Sequence, residues 1–580
     1  MQRATVDESQ RLPHSEAGED AHSVNSADDL ELVNFPIEQS HSFVPLSRRA
    51  TSAARKRYPV SYFCRTSRSR RSRSRPHWRR VVLTIVLLIV ALIIGPSYSN
   101  PPRRYALLRQ SASATQAPGR ANRQNARVYI AASLYDQEGA LVSGDWGDAV
   151  LDLVDLLGPQ NVYLSVYEDN ADPKAKVALS VFTQRLECNS SVVADDLDVS
   201  QLPHVRTASG SEKLSRIAFL AEVRNQALRP LAEVNSTAYQ TRFDKLLYLN
   251  DVIFDPVDAA NLLFSTNVNE QSGKTQYLAA CAVDFINPFK FYDTFATRDF
   301  EGFEVGVPFY PWFTNAGEAA SRRDVMAQKD AVRVRSCWGG MIAFEARWFQ
   351  PWMHQSEGSQ NQTRAPLRFR AEEESFWEAS ECCLVNADMT AMASMELEEH
   401  TTGIFMNPYV RVAYSKTVFR WLRLSKRIEW LYSPMQRLLN VVASRPGFNA
   451  RRLEKPGDHV IDRVWVWEND SQHRKRPIDE PMSNTLGSYR SIQRLASPGG
   501  FCGVRHLSFI NEHARNGEKR WATERAPPDR GETYYSKMAS NLAMTLSCYH
   551  TLIDVLSCVR LAVRWCQAAV ACSNVSFSTL

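Results

Sequence analysis

The stretch that decides the fold is Lys245-Leu-Leu-Tyr-Leu-Asn-Asp-Val-Ile-Phe254, KLLYLNDVIF. A nearly unbroken apolar run meets Asn250-Asp251, and Asp255-Pro256-Val257-Asp258 then opens a helix, with Asp255 at the N-cap and Pro256 at the first helical position. Continuous apolar strands are the mark of a sheet buried on both faces. Working outward, VYIAAS (128–133), VYLSVY (162–167) and YLAACAVDF (277–285) read as further buried strands. Between them Val150, Leu153, Val154 and Leu157 fall at i, i+3, i+4, i+7 before Gly158-Pro159, and Leu214, Ile217, Ala218 and Ala221 mark a helix that continues past Arg224-Asn225. Strands alternating with helices predict an α/β fold with a mostly parallel sheet. Ligands of such sheets bind outside the carboxyl ends of the strands, so Asp251 is well placed for a ligand or an ion. The bland alternative is that Asp251 merely terminates a strand.

The chain has 580 residues, 44% of them hydrophobic, which suffices for a large core. Its formal net charge of +6 does not point to a nucleic-acid partner: thirteen Lys or Arg lie between Arg48 and Arg80, leaving the remainder slightly acidic. Residues 1–80 are predicted to be a disordered cytosolic tail, Arg/Ser-rich towards its end. VVLTIVLLIVALII (81–94) is the one long apolar run. Fourteen residues of helix span about 21 Å, less than the roughly 30 Å hydrocarbon core, but Gly95–Tyr98 extend it and Trp78 supplies an interfacial anchor. Seven arginines in the fifteen residues before the run and three in the fifteen after it predict a cytosolic N-terminus. The run is too far from residue 1 for a cleaved signal peptide. The expectation is a single transmembrane signal anchor over 81–98, a stem or linker over 99–126, a catalytic domain over 127–525 and a C-terminal tail, 526–580, that cannot be placed. Five N-x-S/T sequons, at Asn189, Asn235, Asn361, Asn469 and Asn574, all follow the run and suggest a secretory lumen. The eleven cysteines form no C-x-x-C pair, which argues against a structural zinc site.

A diphosphate leaving group explains why an acid belongs at Asp251: a divalent cation held by one or two carboxylates neutralises the developing charge. Arg224 or Lys245 could supply a basic partner. Glu374, Glu378 and Glu381 are spaced to share a helical face, from which one carboxylate could act on an acceptor hydroxyl, although such faces are usually just solvated. The two glycines of SCWGGMIAF (336–344) would let backbone approach a ligand closely.

Six segments in order, YLNDVIF (248–254), CAVDF (281–285), FYDTFATRD (291–299), SCWGGMIAF (336–344), SECCLVNAD (380–388) and GGFCGVRHL (499–507), resemble the fungal capsule-associated α-1,3-mannosyltransferases, glycosyltransferase family 69. The resemblance spans roughly residues 127–510. It implies a Rossmann-like glycosyltransferase-A domain, a GDP-mannose donor, a glycan or polysaccharide acceptor, a divalent metal such as Mn2+, and a Golgi-type, single-pass type II membrane topology with the catalytic domain luminal. Asn250-Asp251 would stand for the usual acidic metal motif, leaving one carboxylate where two are usual. Asn386 occupies a position where a histidine is expected, which makes Asp388 the better second metal ligand. On this reading Asp251 and Glu381 are catalytic, Asp251 and Asp388 hold the metal, and Arg224, Asn225, Asn250, Trp338, Gly339 and Gly340 bind the donor. Other donors, such as UDP-xylose or UDP-galactose, and a non-catalytic glycan-assembly or trafficking factor are the competing readings.

Overall fold

The computed structural model describes residues 82–84, 86, 97–353, 363–394, 402–467, 487–511 and 520–527. Most of the 81–98 run, the 1–80 tail and nearly all of the 526–580 tail lie outside the described residues. Among the described residues no helix is long and apolar enough to cross a membrane.

The core is one ten-stranded sheet. Its strands are β1 (Val128–Leu134), β2 (Val162–Asp169), β3 (Asn189–Asp195), β4 (Lys245–Leu249), β5 (Ala279–Asn287), β6 (Lys290–Phe291), β7 (Arg298–Asp299), β8 (Val332–Ser336), β9 (Met341–Glu345) and β10 (Ile404–Ala413). The order is β3-β2-β1-β4-β9-β5-β10-β8-β7, with β6 paired to β5. β1, β2, β3 and β4 pair in parallel, as do β5 and β10, whereas β9 runs antiparallel between β4 and β5. Seven strands therefore share one direction, and β6, β8 and β9 oppose them. The consequence for function is local. The carboxyl ends of β4, β5 and β10 and the amino end of β9 lie at the same edge.

The principal helices are α1 (Arg103–Ala114), α2 (Asp145–Leu157), α3 (Pro173–Arg185), α4 (Arg216–Leu228), α5 (Pro256–Ser265), α6 (Glu381–Ala393), α7 (Lys416–Ile428) and α8 (Ser433–Val442). Five of the eight, α3 to α7, start at side-chain caps that satisfy the first backbone donors. Asp255 accepts from Val257 N at 2.8 Å with Pro256 next in line, Ser215 from Ala218 N at 3.3 Å, and Ser380 from Cys382 N at 3.2 Å. The apolar face of α2 buries Trp146, Val150, Leu153, Val154 and Leu157 in the core, and Gly158, at φ +87°, stops it.

Three departures from the sequence reading have physical causes. Residues 99–126 are not a loose linker: α1 packs with Tyr105 buried, Arg109 pairs with Asp255 and Asp258, and Asn407 Nδ2 donates to the Tyr105 hydroxyl at 2.7 Å. Ser97 and Tyr98, the end of the expected span, are also buried, with the Tyr98 hydroxyl donating to Val325 O at 3.0 Å. The helix expected over Glu374–Glu381 is absent, because Ser380 starts α6 at Glu381 while Glu378 pairs with Val504 in an isolated bridge. β10, buried along its whole length, reads poorly in sequence because Asn407-Pro408 looks like a turn and Arg411 like surface. A register shift between Met406 and Arg411 absorbs the first, and a doubly hydrogen-bonded ion pair of Arg411 with Glu429, both at 2.7 Å, neutralises the second.

Candidate active site

Asn250-Asp251 leaves β4 at its carboxyl end. Backbone bonds hold the turn on two sides: Asn250 N donates to Gly340 O at 2.9 Å, and Ile253 bridges Ala413. Trp146 Nε1 adds a bond to Asn250 O at 2.9 Å. The Asn250 side-chain oxygen accepts from Arg224 Nη1 at 3.1 Å and from Trp338 Nε1 at 3.2 Å. Four of the predicted residues thus meet at this point: Arg224, Asn250, Trp338 and Gly340. Asp251 is half-buried beside them, within electrostatic reach of the Tyr292 and Tyr414 hydroxyls.

Arg224 is the centre of the arrangement. Its guanidinium carbon lies 4.4 Å from the Trp338 ring centroid, and its Nε donates to Glu381 Oε1 at 3.0 Å. Burial opposes its charge, but Cys382 and Glu381 raise its pKa overall. Burial pushes the Cys382 thiol well up, so it stays protonated at neutral pH. Glu381, expected to face an acceptor, is instead closed into this ion pair with 4% of its side chain exposed. The cause is its place in the first turn of α6, which turns it back onto α4. It is a positioning residue in this structure.

Two other expectations change for similar reasons. Asn225 donates to Phe369 O and accepts from Phe369 N, both at 2.9 Å, so its amide clamps backbone instead of facing a donor. One residue along α4 from Arg224, it points to a different neighbour. Asp388 is bidentate to Arg370, at 2.8 and 3.0 Å, and lines a separate open cleft with Leu367, Arg368, Met392 and Pro498. It is a guanidinium partner, not a second ligand placed beside Asp251. Glu374 and Glu378 go elsewhere too, to Arg451 and to Ser508 with His506. Asn386 is fully buried and donates to Cys337 O at 2.8 Å, supporting the turn that carries Trp338.

Gly339 and Gly340 adopt φ of +61° and +67°. A Cβ on Gly339 would meet Ala282 O at 2.1 Å, and one on Gly340 would meet Val252 Cγ1 at 2.8 Å. The glycines let this turn lie against β5 and the Asp251 loop, and a Cys281–Cys337 disulfide fastens it there.

The residues missed by sequence reasoning lie just beneath. Asp284, on β5, accepts from the Tyr414 hydroxyl at 3.0 Å and from Asp293 N at 3.1 Å; Asp293 accepts from Gly339 N at 3.0 Å. Burial, reinforced by Asp293, pushes the Asp284 carboxyl up to about 8, and burial raises Asp293 as well. The pair therefore holds a proton at neutral pH. Tyr292 and Tyr414, raised chiefly by burial, stay phenolic and able to donate. At the end of β2, Glu168 is pushed by burial to about 7, and its Oε2 is buried without a partner. The available signal was an acid inside an apolar run, as in CAVDF, since a charge placed there must be paired or neutralised.

An acid at a strand end, a mostly buried guanidinium behind it and hydroxyls beside it suit the transfer of a group from a phosphate donor, and the chain is a glycosyltransferase. Its residues 127–388, a little under half of the chain, match the family model described as Cryptococcal mannosyltransferase 1, which supports the capsule-associated mannosyltransferase family. Comparison with curated proteins finds no match. Among solved structures, the mannosyltransferase PcManGT from Pyrobaculum calidifontis, in complex with GDP-Man and Mn2+, is 10% identical, with 63% of this chain and 86% of that one covered and a TM-score of 0.27. Glucosyl-3-phosphoglycerate synthase from Mycobacterium tuberculosis, in complex with Mn2+ and UDP-glucose, is 9% identical, with 68% and 95% covered and a TM-score of 0.26.

Proposed function

We propose that this chain transfers mannose from GDP-mannose to a hydroxyl of a glycan or polysaccharide acceptor, forming an α-1,3 linkage in cell-wall or capsule polysaccharide synthesis. The observation that carries the reading is Asp251 at the carboxyl end of β4, with the neighbouring Asn250 side chain fixed by Arg224 and Trp338. The mannosyltransferase family match supports the sugar.

A divalent cation such as Mn2+ fits this site chemically, because carboxylate and phosphate oxygens are the ligands a hard cation takes. Among the described residues no three His, Cys, Asp or Glu are grouped to hold an ion alone. Asp251 would therefore be the protein ligand, the remaining positions falling to the donor's diphosphate and water. Bound there, the cation would neutralise charge on the departing diphosphate. Arg224 adds a fixed positive charge behind Asn250, kept in place by Glu381. The Tyr292 and Tyr414 hydroxyls lie within electrostatic reach of Asp251, that of Tyr414 held on Asp284. An α-linked donor and an α-linked product require retention of configuration. With Glu381 closed in its ion pair, the acceptor proton passes to the departing phosphate oxygen on the same face of the sugar.

In this reading the chain is a type II protein of the Golgi or another secretory-pathway membrane. The apolar run at 81–94 and its arginine flank support that orientation, as do the exposed sequon residues Asn189 and Asn235. The test is a donor screen on the detergent-solubilised full chain with Mn2+, comparing GDP-mannose with UDP-xylose and UDP-galactose. Acceptor-dependent consumption of GDP-mannose supports the proposal. Faster transfer from a UDP-sugar rejects the donor and leaves the glycosyltransferase assignment standing.

A further inference from the structure

A concentration of positive charge outside the N-terminal tail lies on α7 and α8. Residues 416–445 contain seven Lys or Arg and one acid, Glu429, which is already bound to Arg411. α7 buries Leu422 and Ser425 against the domain, with Val418 and Phe419 partly covered. Its other side exposes Trp421 and Leu424, each at 54%. The apolar exposure continues through Leu431 to Met435, Leu438 and Val442 on α8, the last at 74%. The spacings 421/424 and 435/438/442 put each set on one helical face. Arg420 and Arg423 flank the first stripe, both exposed, and among the described residues no acid pairs with them.

An apolar stripe of this extent beside unpaired arginines is unusual on a surface that meets only water. A tryptophan and leucines on one face with arginines along its margin is the pattern of a helix lying in a bilayer interface. Position gives the second, independent argument. Ser97 Oγ donates to Lys426 O at 2.8 Å, so the chain enters the domain on the last turn of α7. Only Gly95-Pro96 separates Ser97 from the apolar run at 81–94. A membrane holding that run is therefore brought to α7 by the chain itself.

We infer that the α7–α8 face docks on the surface of the bilayer, its apolar stripe entering the interface and Arg420 and Arg423 binding anionic headgroups. The glycosyltransferase domain then lies on the membrane at a fixed orientation and does not swing on a free stem. The inference rests on the proposed membrane anchoring but not on the identity of the donor.

The test uses the full chain reconstituted into phosphatidylcholine vesicles with or without phosphatidylserine, the acyl chains being brominated to quench nearby tryptophan. Subtracting Trp421→Phe from wild type isolates Trp421, because every other tryptophan contributes to both. In anionic vesicles Trp421 emission should fall at least twofold, and Arg420→Glu with Arg423→Glu should restore it while the protein still floats with the vesicles and melts at the wild-type temperature. A floating protein with unquenched Trp421 overturns the docking and leaves the anchoring intact. Failure to float overturns both. Trp421 shielded to the same degree in detergent, in a protein that sediments as a dimer, overturns the docking in favour of a second copy of the chain.

Discussion

Arg224 Nε donates to Glu381 Oε1 at 3.0 Å, with 11% and 4% of the two side chains exposed, and this contact joins α4 to the first turn of α6 across 157 residues of sequence. A buried pair of this kind is expensive to break from one side only, because the survivor is left as an uncompensated charge, at a cost of about 3–5 kcal/mol. Glu381→Gln and Arg224→Gln should each destabilise the domain by about that amount. The double variant should recover much of the loss, giving a coupling energy above about 1 kcal/mol in a denaturation cycle. Additive losses would show that the two residues do not act as a pair.

The glycine turn makes a prediction that needs no chemistry. Gly339→Ala places a methyl 2.1 Å from Ala282 O in a left-handed conformation, so strain and overpacking together should cost about 3 kcal/mol. Gly273, at φ +66° with nothing within 4 Å, is the control. Its alanine variant should cost about 1 kcal/mol, from the backbone term alone. Chemical denaturation of the two variants gives the comparison directly.

How much of this was legible in the sequence depends on how local each feature is. The strand–helix alternation, the Asp255 cap and the position of Asp251 at the end of β4 are short-range patterns and were read correctly. The pairing of Arg224 with Glu381, of Asn225 with Phe369 and of Asp388 with Arg370 joins residues 18 to 157 positions apart, which no periodicity encodes. Asp284 was hidden by its apolar neighbours Val283 and Phe285. β10 was hidden by Asn407-Pro408 and Arg411, whose costs are offset only by partners elsewhere in the fold.

The buried acid Asp284 should leave a pH signature. Its folded pKa, about 8, lies above the ordinary carboxylate range, so between about pH 4 and pH 8 the native state retains a proton that the unfolded chain has released. The stabilisation is complete at the acid end and is lost as pH rises through the folded value, by up to about 1.4 kcal/mol per pH unit. Asp284→Asn can keep the Tyr414 contact and cannot ionise. In metal-free buffer, wild type should lose stability relative to Asp284→Asn from pH 5 to pH 8. Parallel curves would mean that Asp284 ionises in the native state at its ordinary value.

The central claim concerns Asp251. It is half-buried at the end of β4, and amidation removes a ligand charge with almost no change in volume. Asp251→Asn should therefore cost about 1 kcal/mol of stability or less. Loss of the cation contact to the leaving diphosphate should cost several kcal/mol of barrier, each 1.36 kcal/mol being about tenfold in rate. The direct measurement is the transfer rate of folded Asp251→Asn with GDP-mannose and saturating Mn2+, beside its melting temperature. The account predicts a rate at least a hundredfold below wild type in a protein that melts within a few degrees of it. A variant that melts far lower, yet whose folded fraction transfers at the wild-type rate, would show that Asp251 is structural and that the site lies elsewhere.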